Sequence, residues 1–184
     1  MLMNTQKGNK AIFLDRDGVI NIEVGYLSNP DDFEFIEGSI EALKILNKKE
    51  FLLIVITNQA GIARGYYTEE ILNIIHNKMK SNLKAHNVTL TDIYFCPHHP
   101  EFTGYCDCRK PNPGMILKAK KKYNIDVNNS FMVGDTLNDI QTGLAARCKT
   151  VLVLTGYGKE EQKKIGSIKP DMIFKNLFEF AKHI

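Results

Sequence analysis

Short runs of consecutive apolar residues alternate along the chain with segments in which apolar residues recur every three or four positions. An unbroken apolar run is typical of a strand covered on both faces, and the longer period is typical of an amphipathic helix. Six runs predict strands, at residues 10–14, 51–56, 92–95, 130–133, 150–154 and 171–174. Strands that alternate with helices predict an α/β protein with a Rossmann-like parallel sheet and helices on both faces.

Local signals place helices between these strands. Ser39 is the expected N-cap of the first helix, and Thr68 is the expected N-cap of a long second helix with two acids in its first turn. Pro113 suits the first turn of the third helix, after an irregular stretch over residues 96–112. The fourth helix carries its apolar stripe at Leu137, Ile140 and Leu144.

The bulk composition is that of an ordinary globular protein. The 184 residues suit one domain, with residues 1–9 expected as a flexible N-terminus and residues 10–184 as the folded domain. A formal net charge of +3 is too small to predict binding to nucleic acid or to a membrane, and no apolar run is long enough to span a bilayer. The polar N-terminus lacks the apolar core of a signal peptide, so we expect a cytoplasmic protein, and in the absence of an obvious dimer face a monomer.

Polar residues follow the predicted strands at the point where each strand ends. Asp15 follows the first strand, Thr57 and Asn58 follow the second, and Asp135 follows the fourth. A loop that begins at Cys96 follows the third. Because the carboxyl ends of strands in an open α/β sheet form the ligand crevice, these groups are expected to converge at one edge.

Asp15 and Asp17 are two acids only two residues apart, followed by Gly18. Taken alone, an Asp-x-Asp-Gly segment is also typical of a turn or of a fragment of a calcium loop. In a crevice, two close carboxylates repel each other unless a cation compensates them, and Mg²⁺ prefers such oxygen ligands. The pattern suits phosphoryl transfer, with Asp15 as the nucleophile and Asp17 as the acid and base.

The other strand ends supply groups that this chemistry needs. Thr57 can donate a hydrogen bond to a phosphate oxygen, and Lys110 can neutralise phosphate charge. We expect Asp15, Asp17 and Asp135 to hold the magnesium ion. From its spacing, Asp139 is expected on the same helix face as Asp135, either as a group that supports the magnesium ligands or as an acid on the helix surface.

These segments resemble the four motifs of the haloacid dehalogenase superfamily. The segment from Phe13 to Val19 is similar to the first motif, the segment from Val55 to Asn58 to the second, Lys110 to the third, and the segment from Val133 to Asp139 to the fourth. All four occur in order over residues 10–155. The resemblance implies a magnesium-dependent phosphatase that forms an aspartyl-phosphate on a haloacid dehalogenase-like fold. The short segments between motifs leave no room for a cap domain.

Three cysteines and two histidines cluster between residues 96 and 108. Zinc takes four such ligands, so we expect Cys96, His98, Cys106 and Cys108 to hold a structural zinc ion that orders this loop, with His99 left over. The alternatives are buried cysteines without a metal and, with less support from the pattern, a nucleophilic cysteine. A zinc ion here would fix where Arg109 and Lys110 point.

The cysteine loop, the Gly25-Tyr26-Leu27 segment and the run from Thr57 to Gly65 resemble the family of D-glycero-D-manno-heptose 1,7-bisphosphate 7-phosphatases. That resemblance implies removal of the C7 phosphate during nucleotide-activated heptose biosynthesis for a surface polysaccharide such as lipopolysaccharide. It implies a phosphorylated sugar as the partner, with Arg109 at the distal phosphate or sugar. The residues it places around the substrate are Glu23, Val24, Gly25, Tyr26, Asn58, Gln59, Ala60, Arg109 and Thr136.

Two departures from this family pattern and two alternatives affect the interpretation. The zinc loop holds only seven residues between His98 and Cys106, fewer than in some members, which keeps the ligand set but alters the rim of the pocket. Family members often carry lysine where this chain has Thr136. The loss of that cation is expected to weaken binding of the second phosphate or to shift which sugar is preferred. Histidinol-phosphate phosphatase has a similar zinc loop and a similar Asp-Arg-Asp-Gly segment, and it is the main alternative. A zinc-stabilised binding module without catalysis is the remaining alternative.

Overall fold

In residues 8–184, which a computed structural model describes, six parallel strands form one sheet in the order β3-β2-β1-β4-β5-β6. The strands are β1 (Ala11–Leu14), β2 (Leu52–Asn58), β3 (Asp92–Cys96), β4 (Phe131–Gly134), β5 (Lys149–Val153) and β6 (Met172–Phe174). All pairings are parallel, which confirms the predicted sheet. The strand order changes direction at β1, between β2 and β4, and ligands of open sheets bind at such a point.

Helices connect the strands. They are α1 (Ser39–Lys48), α2 (Glu69–Ala85), α3 (Pro100–Thr103), α4 (Gly114–Tyr123), α5 (Leu137–Ala146), α6 (Gly158–Lys163) and α7 (Leu177–His183). The short helix α3 and two 3-10 turns, Pro30–Asp32 and Val127–Asn129, were not predicted from the sequence. No helix in the described part of the chain is long and apolar enough to cross a membrane.

The central strands bury side chains on both faces of the sheet. On β1, Ile12 and Leu14 join one buried cluster, which the helices α1, α2 and α7 cover. Ala11 and Phe13 join the cluster on the opposite face, together with residues of α4. Alternate residues of a strand point to opposite faces, so an unbroken apolar run is what a doubly covered strand requires.

Two local predictions were wrong. Ser39 is the first residue of α1 rather than its N-cap, because Gly38 takes the N-cap position in a left-handed conformation with φ of 80°. On α5, Leu144 is 45% exposed, whereas Gly143 packs so close to β4 that a Cβ atom there would lie 2.8 Å from the Cβ of Met132. By contrast, Thr68 caps α2 as predicted and accepts a hydrogen bond from the Ile71 amide.

The expected flexible N-terminus falls mainly on residues 1–7, which lie outside the described residues. Asn9 is described, and its backbone pairs with the turn after α4. Its amide donates to the Asn124 carbonyl at 2.9 Å, and its own carbonyl accepts from the Asp126 amide at 2.9 Å. Asn9 is therefore held by backbone hydrogen bonds ahead of β1.

Candidate active site

The carboxyl ends of three neighbouring strands bring the predicted site residues together. Asp15 directly follows β1, and its amide donates to the Val133 carbonyl on β4 at 3.0 Å. Thr57 is the second-last residue of β2, where it pairs with Phe95 of β3. Asp135 follows β4. The strand ends thus form one edge of the sheet, as the sequence predicted.

Lys110 reaches this edge from the cysteine loop and contacts two carboxylates. Its Nζ atom lies 2.7 Å from Oδ2 of Asp15 and 2.6 Å from Oδ1 of Asp139. The residue is only 4% exposed. Burial disfavours the charged ammonium, but the negative charges of Asp139 and Asp15 outweigh it and raise the pKa of Lys110 above its usual range. Lys110 is therefore a fixed positive charge beside Asp15.

Asp15, Asp135 and Asp139 form a compact acidic group, with one carboxylate oxygen from each within 4.8 Å of the others. Burial raises the pKa of Asp15 to about 7, although Lys110 opposes this. Burial and the charge of Asp15 raise the pKa of Asp135 to about 8. A single lysine does not compensate three carboxylates, of which Asp135 and Asp139 are buried, and a divalent cation with oxygen ligands fits the remaining charge.

Asp139 is fully buried, which excludes the interpretation as a helix-surface acid. Its Oδ2 accepts hydrogen bonds from the backbone amide of Thr136 at 3.1 Å and from the Thr136 hydroxyl at 2.7 Å. Oδ1 faces Lys110. Asp139 therefore links the start of α5 to Lys110, and the Thr136 hydroxyl is engaged in this link.

Gly18 allows the segment after Asp17 to approach Asp135. Its φ of +78° is one that L side chains rarely adopt, and a Cβ atom there would lie 2.1 Å from Oδ2 of Asp135. Gly156, which follows β5, is packed against the same carboxylate oxygen, with the same 2.1 Å separation for an added Cβ. The next residue, Tyr157, donates its amide to Oδ2 of Asp135 at 2.8 Å. These backbone contacts fix the Asp135 carboxylate.

The carboxylate of Asp17 is held away from the acidic group. The Arg16 guanidinium contacts both of its oxygens at 2.8 Å, and Asn21 and Gln59 donate to it at 2.9 and 3.0 Å. Burial disfavours the ionised form, but Arg16 and the hydrogen bonds outweigh it and lower the pKa of Asp17. Among the described residues, the acidic group does not include the Asp17 carboxylate, so its expected role as a magnesium ligand stays a prediction.

Arg16 is itself fully buried, and its guanidinium also contacts His76. Nη1 of Arg16 lies 3.1 Å from Nε2 of His76 on α2. Burial and the charge of Arg16 lower the pKa of His76 to about 3, so this ring is neutral and accepts the hydrogen bond. Neither residue was identified from the sequence, because their roles depend on α2 crossing behind the Asp-Arg-Asp segment.

A cleft of about 250 Å³ opens beside Asp17. Seven of the residues predicted around the substrate line it, namely Glu23, Gly25, Tyr26, Asn58, Gln59, Ala60 and Arg109. Val24 and Thr136 are not among its lining residues. Leu27, Tyr67 and Tyr157 line the cleft and were not predicted. Tyr157 follows β5, so the strand-end rule that identified Asp15 and Asp135 could have found it.

The cysteine loop brings three thiols together. The Sγ atoms of Cys96, Cys106 and Cys108 are separated by 3.0 to 3.5 Å. Zinc binds sulfur at about 2.3 Å, so one ion can contact all three. His98 is not part of this group among the described residues, and its role as the fourth ligand stays a prediction. His99 is engaged elsewhere, with Nε2 at 3.1 Å from Arg64.

Comparison with known proteins identifies close relatives. A family model described as HAD-hydrolase-like matches residues 107–180. A protein of Pasteurella multocida named D-glycero-beta-D-manno-heptose-1,7-bisphosphate 7-phosphatase is 53% identical over 84% of this chain and 87% of its own length. A protein of the same name from Escherichia coli K12 is 50% identical over 82% of each chain.

A solved structure shares the fold over nearly the full length of both chains. It is the D,D-heptose 1,7-bisphosphate phosphatase of B. bronchiseptica, complexed with magnesium and phosphate. The TM-score is 0.89 and the sequence identity is 34%, with 95% of this chain and 97% of that chain covered.

Proposed function

The chain belongs to the family of D-glycero-β-D-manno-heptose-1,7-bisphosphate 7-phosphatases, and we propose that it hydrolyses the C7 phosphate of this sugar bisphosphate. The observation that carries the proposal is the position of Asp15, which lies at a strand end 2.7 Å from Lys110 and within a compact acidic group. The cleft beside Asp17 supplies space for the sugar. The relatives' names favour the β anomer.

Asp15 is the nucleophile. A carboxylate oxygen of Asp15 attacks phosphorus, the bond between phosphorus and the C7 oxygen breaks, and Asp17 gives a proton to that oxygen. Water then attacks the acyl phosphate, passes a proton to Asp17 and releases inorganic phosphate. The substrate phosphate is an anion, so its arrival beside Asp17 favours the protonated carboxyl that the first step requires.

Thr57 and Lys110 bind the phosphate being transferred. Lys110 neutralises its charge, and the Thr57 hydroxyl donates a hydrogen bond. Asp15 and Asp135 hold magnesium, with Asp139 behind them, and these oxygen donors and the raised pKa values of Asp15 and Asp135 fit such an ion. Magnesium supplies further neutralisation of phosphate charge.

The cysteine loop holds a structural zinc ion through Cys96, His98, Cys106 and Cys108. With four protein ligands, this ion has no open position for water and therefore no direct role in hydrolysis. Its effect is on Arg109 and Lys110, which directly follow the last ligand. The Nη1 atom of Arg109 already donates to the His98 carbonyl at 3.0 Å, so the loop restrains this side chain at the cleft, where it meets the second phosphate or the sugar.

The enzyme acts in nucleotide-activated heptose biosynthesis, as a monomer in the cytoplasm. A reducing compartment keeps Cys96, Cys106 and Cys108, which are free thiols in the structure, available for zinc. The product keeps its C1 phosphate, which suits later activation by a nucleotidyl transfer.

A substrate comparison tests the proposal. Purified enzyme with Mg²⁺ is offered the β and α anomers of D-glycero-D-manno-heptose 1,7-bisphosphate, and histidinol phosphate, and phosphate release is measured for each. We expect kcat/KM on the β anomer to exceed that on histidinol phosphate by about 100-fold or more, a difference of about 2.7 kcal/mol in transition-state binding. Phosphorus NMR is expected to show loss of the C7 signal alone. Equal or reversed preference for histidinol phosphate contradicts the proposal.

A further inference from the structure

We propose that Gln59 is a positioning residue that directs the hydroxyl proton of Thr57 toward the substrate phosphate. This inference rests on the phosphatase function proposed above. Gln59 follows β2 and is only 3% exposed, although it borders the cleft. Its side-chain amide contacts four polar groups, and two of them, the Arg16 guanidinium and the Asp17 carboxylate, fix the orientation of the amide.

The neighbours of Gln59 determine which way its amide faces. Oε1 accepts from the Tyr67 hydroxyl at 2.6 Å and from the Arg16 guanidinium at 3.4 Å. Nε2 lies 3.0 Å from Oδ2 of Asp17. A guanidinium can only donate and an ionised carboxylate can only accept, so the reverse orientation of the amide would place like groups against each other at both positions.

This orientation leaves one amide proton for Thr57. Nε2 of Gln59 lies 2.9 Å from Oγ1 of Thr57, and an amide nitrogen donates but does not accept. The Thr57 oxygen must therefore accept this bond. Across residues 8–184, the hydroxyl proton of Thr57 has no protein acceptor. This proton remains available for a phosphate oxygen. Thr57 is only 1% exposed, so bulk water competes little for it.

The hydrogen bonds of Gln59 also couple two catalytic groups. One amide proton goes to Thr57 and the other to Asp17, while both lone pairs of Oε1 are occupied. No hydrogen-bonding group of the side chain is left over for the sugar. Gln59 therefore acts on the reaction through Thr57 and Asp17.

Two variants of similar size separate the direction of the hydrogen bond from packing. Gln59→Glu replaces the donor with a second acceptor, so the Thr57 hydroxyl turns toward residue 59 and away from the phosphate. Gln59→Met keeps the volume and removes the hydrogen bonds. The measurements are the inhibition constant of inorganic phosphate with Mg²⁺ present, kcat and KM, and the melting temperature. We expect Gln59→Glu to weaken phosphate inhibition about 10-fold or more, and Gln59→Met less, about 3-fold.

The Thr57→Val background distinguishes this mechanism from simple charge repulsion. Gln59→Glu raises the inhibition constant of phosphate by some factor in each background. If Gln59 acts through the hydroxyl, that factor is smaller in Thr57→Val than in the parent, by about 3-fold or more. Repulsion by the new carboxylate would persist unchanged in both backgrounds, and that result would overturn the inference. The inference would also be overturned if Gln59→Glu and Gln59→Met weakened phosphate inhibition equally and to an extent that followed their loss of melting temperature.

Tyr67→Phe is a milder variant for the case in which position 59 does not tolerate change. It removes one donor to Oε1 and leaves Arg16 to orient the amide, so we expect phosphate inhibition to change by about 3-fold or less. A larger loss than in Gln59→Met contradicts the inference. The two proposals fail separately, because a parent enzyme that releases no phosphate from any sugar phosphate overturns the function, whereas an active parent with unaltered Gln59 variants overturns only the role of Gln59.

Discussion

The side-chain amide of Asn58 pairs with the backbone of Lys110 through two hydrogen bonds. The Lys110 amide donates to Oδ1 at 3.0 Å, and Nδ2 donates to the Lys110 carbonyl at 3.1 Å. The two residues are 52 positions apart in the chain. Asn58 thus joins the end of β2 to the loop that carries the lysine, and its amide is committed to this task although the residue borders the cleft.

Replacement of Asn58 by alanine is expected to lower kcat/KM about 10- to 100-fold. The loss of both hydrogen bonds frees the Lys110 backbone, so the ammonium no longer has a fixed position beside Asp15. Steady-state phosphate release measures the effect.

Asn47 offers a matched control for this variant. Its amide makes the same pair of bonds with the backbone of Thr89, at 2.8 and 3.2 Å, at the end of α1. Asn47→Ala is expected to lower stability to a similar extent, about 1 to 2 kcal/mol, with activity unchanged. Equal losses of activity in the two variants would contradict a positioning role for Asn58.

Magnesium is expected to stabilise the enzyme more as pH rises. Without metal, the pKa values of Asp15 and Asp135, about 7 and about 8, exceed their ordinary value of 3.8. The folded state then binds more protons than the unfolded state between about pH 4 and pH 8, so the free energy of unfolding falls as pH rises through this window. Magnesium binds the ionised carboxylates and offsets that loss.

Melting temperatures at pH 5 and pH 8.5, with and without Mg²⁺, measure this effect. A metal concentration 100-fold above Kd stabilises the fold by about 2.7 kcal/mol, or roughly 5 to 10 °C for a chain of this size. We expect that increase at pH 8.5 and little increase at pH 5. In Asp135→Asn, the increase at pH 8.5 should be largely lost. The same increase at both pH values would contradict the assignment of the acidic group as the metal site.

The convergence of Asp15, Thr57 and Asp135 could be predicted because strand polarity and sheet class determine where strand ends meet. The hydrogen-bond partners of Asn58 and Gln59 could not. Those amides border the cleft, but they pair with Lys110 and Tyr67, and the spatial proximity that selects these partners arises only in the folded chain. The N-cap of α1 was misassigned for a related reason. Serine is a preferred N-cap residue type, but the N-cap position is taken by Gly38 in a left-handed backbone conformation.

His98 and His99 give a direct test of the zinc ligand set. His98→Ala is expected to lower the zinc content of the purified protein well below one ion per chain, because it removes the predicted fourth ligand beside the three thiols. In His99→Ala zinc should be retained, since that ring contacts Arg64 and the amide of Glu101. Metal analysis after dialysis against a weak chelator measures both. Zinc lost from His99→Ala and retained in His98→Ala would contradict the assignment.

The adjacent histidines also show what spacing alone leaves open. The two residues offer the same imidazole ligand one position apart, so the sequence does not distinguish them by chemistry. In the fold, the His99 side chain lies against Arg64 and the ring of Phe102, at a centroid distance of 5.4 Å. The backbone amide of His98 contacts the thiol of Cys96. Which imidazole is engaged away from the thiols therefore depends on the fold of this loop and not on spacing alone.

The most direct test of the central claim is phosphate release from D-glycero-β-D-manno-heptose 1,7-bisphosphate by Asp15→Asn with saturating Mg²⁺. The asparagine amide has nearly the same size but is not a nucleophile, so kcat is expected to fall by about 10⁴-fold or more while zinc content stays at the parent level. Turnover within about 10-fold of the parent enzyme would contradict the assignment of Asp15 as the nucleophile.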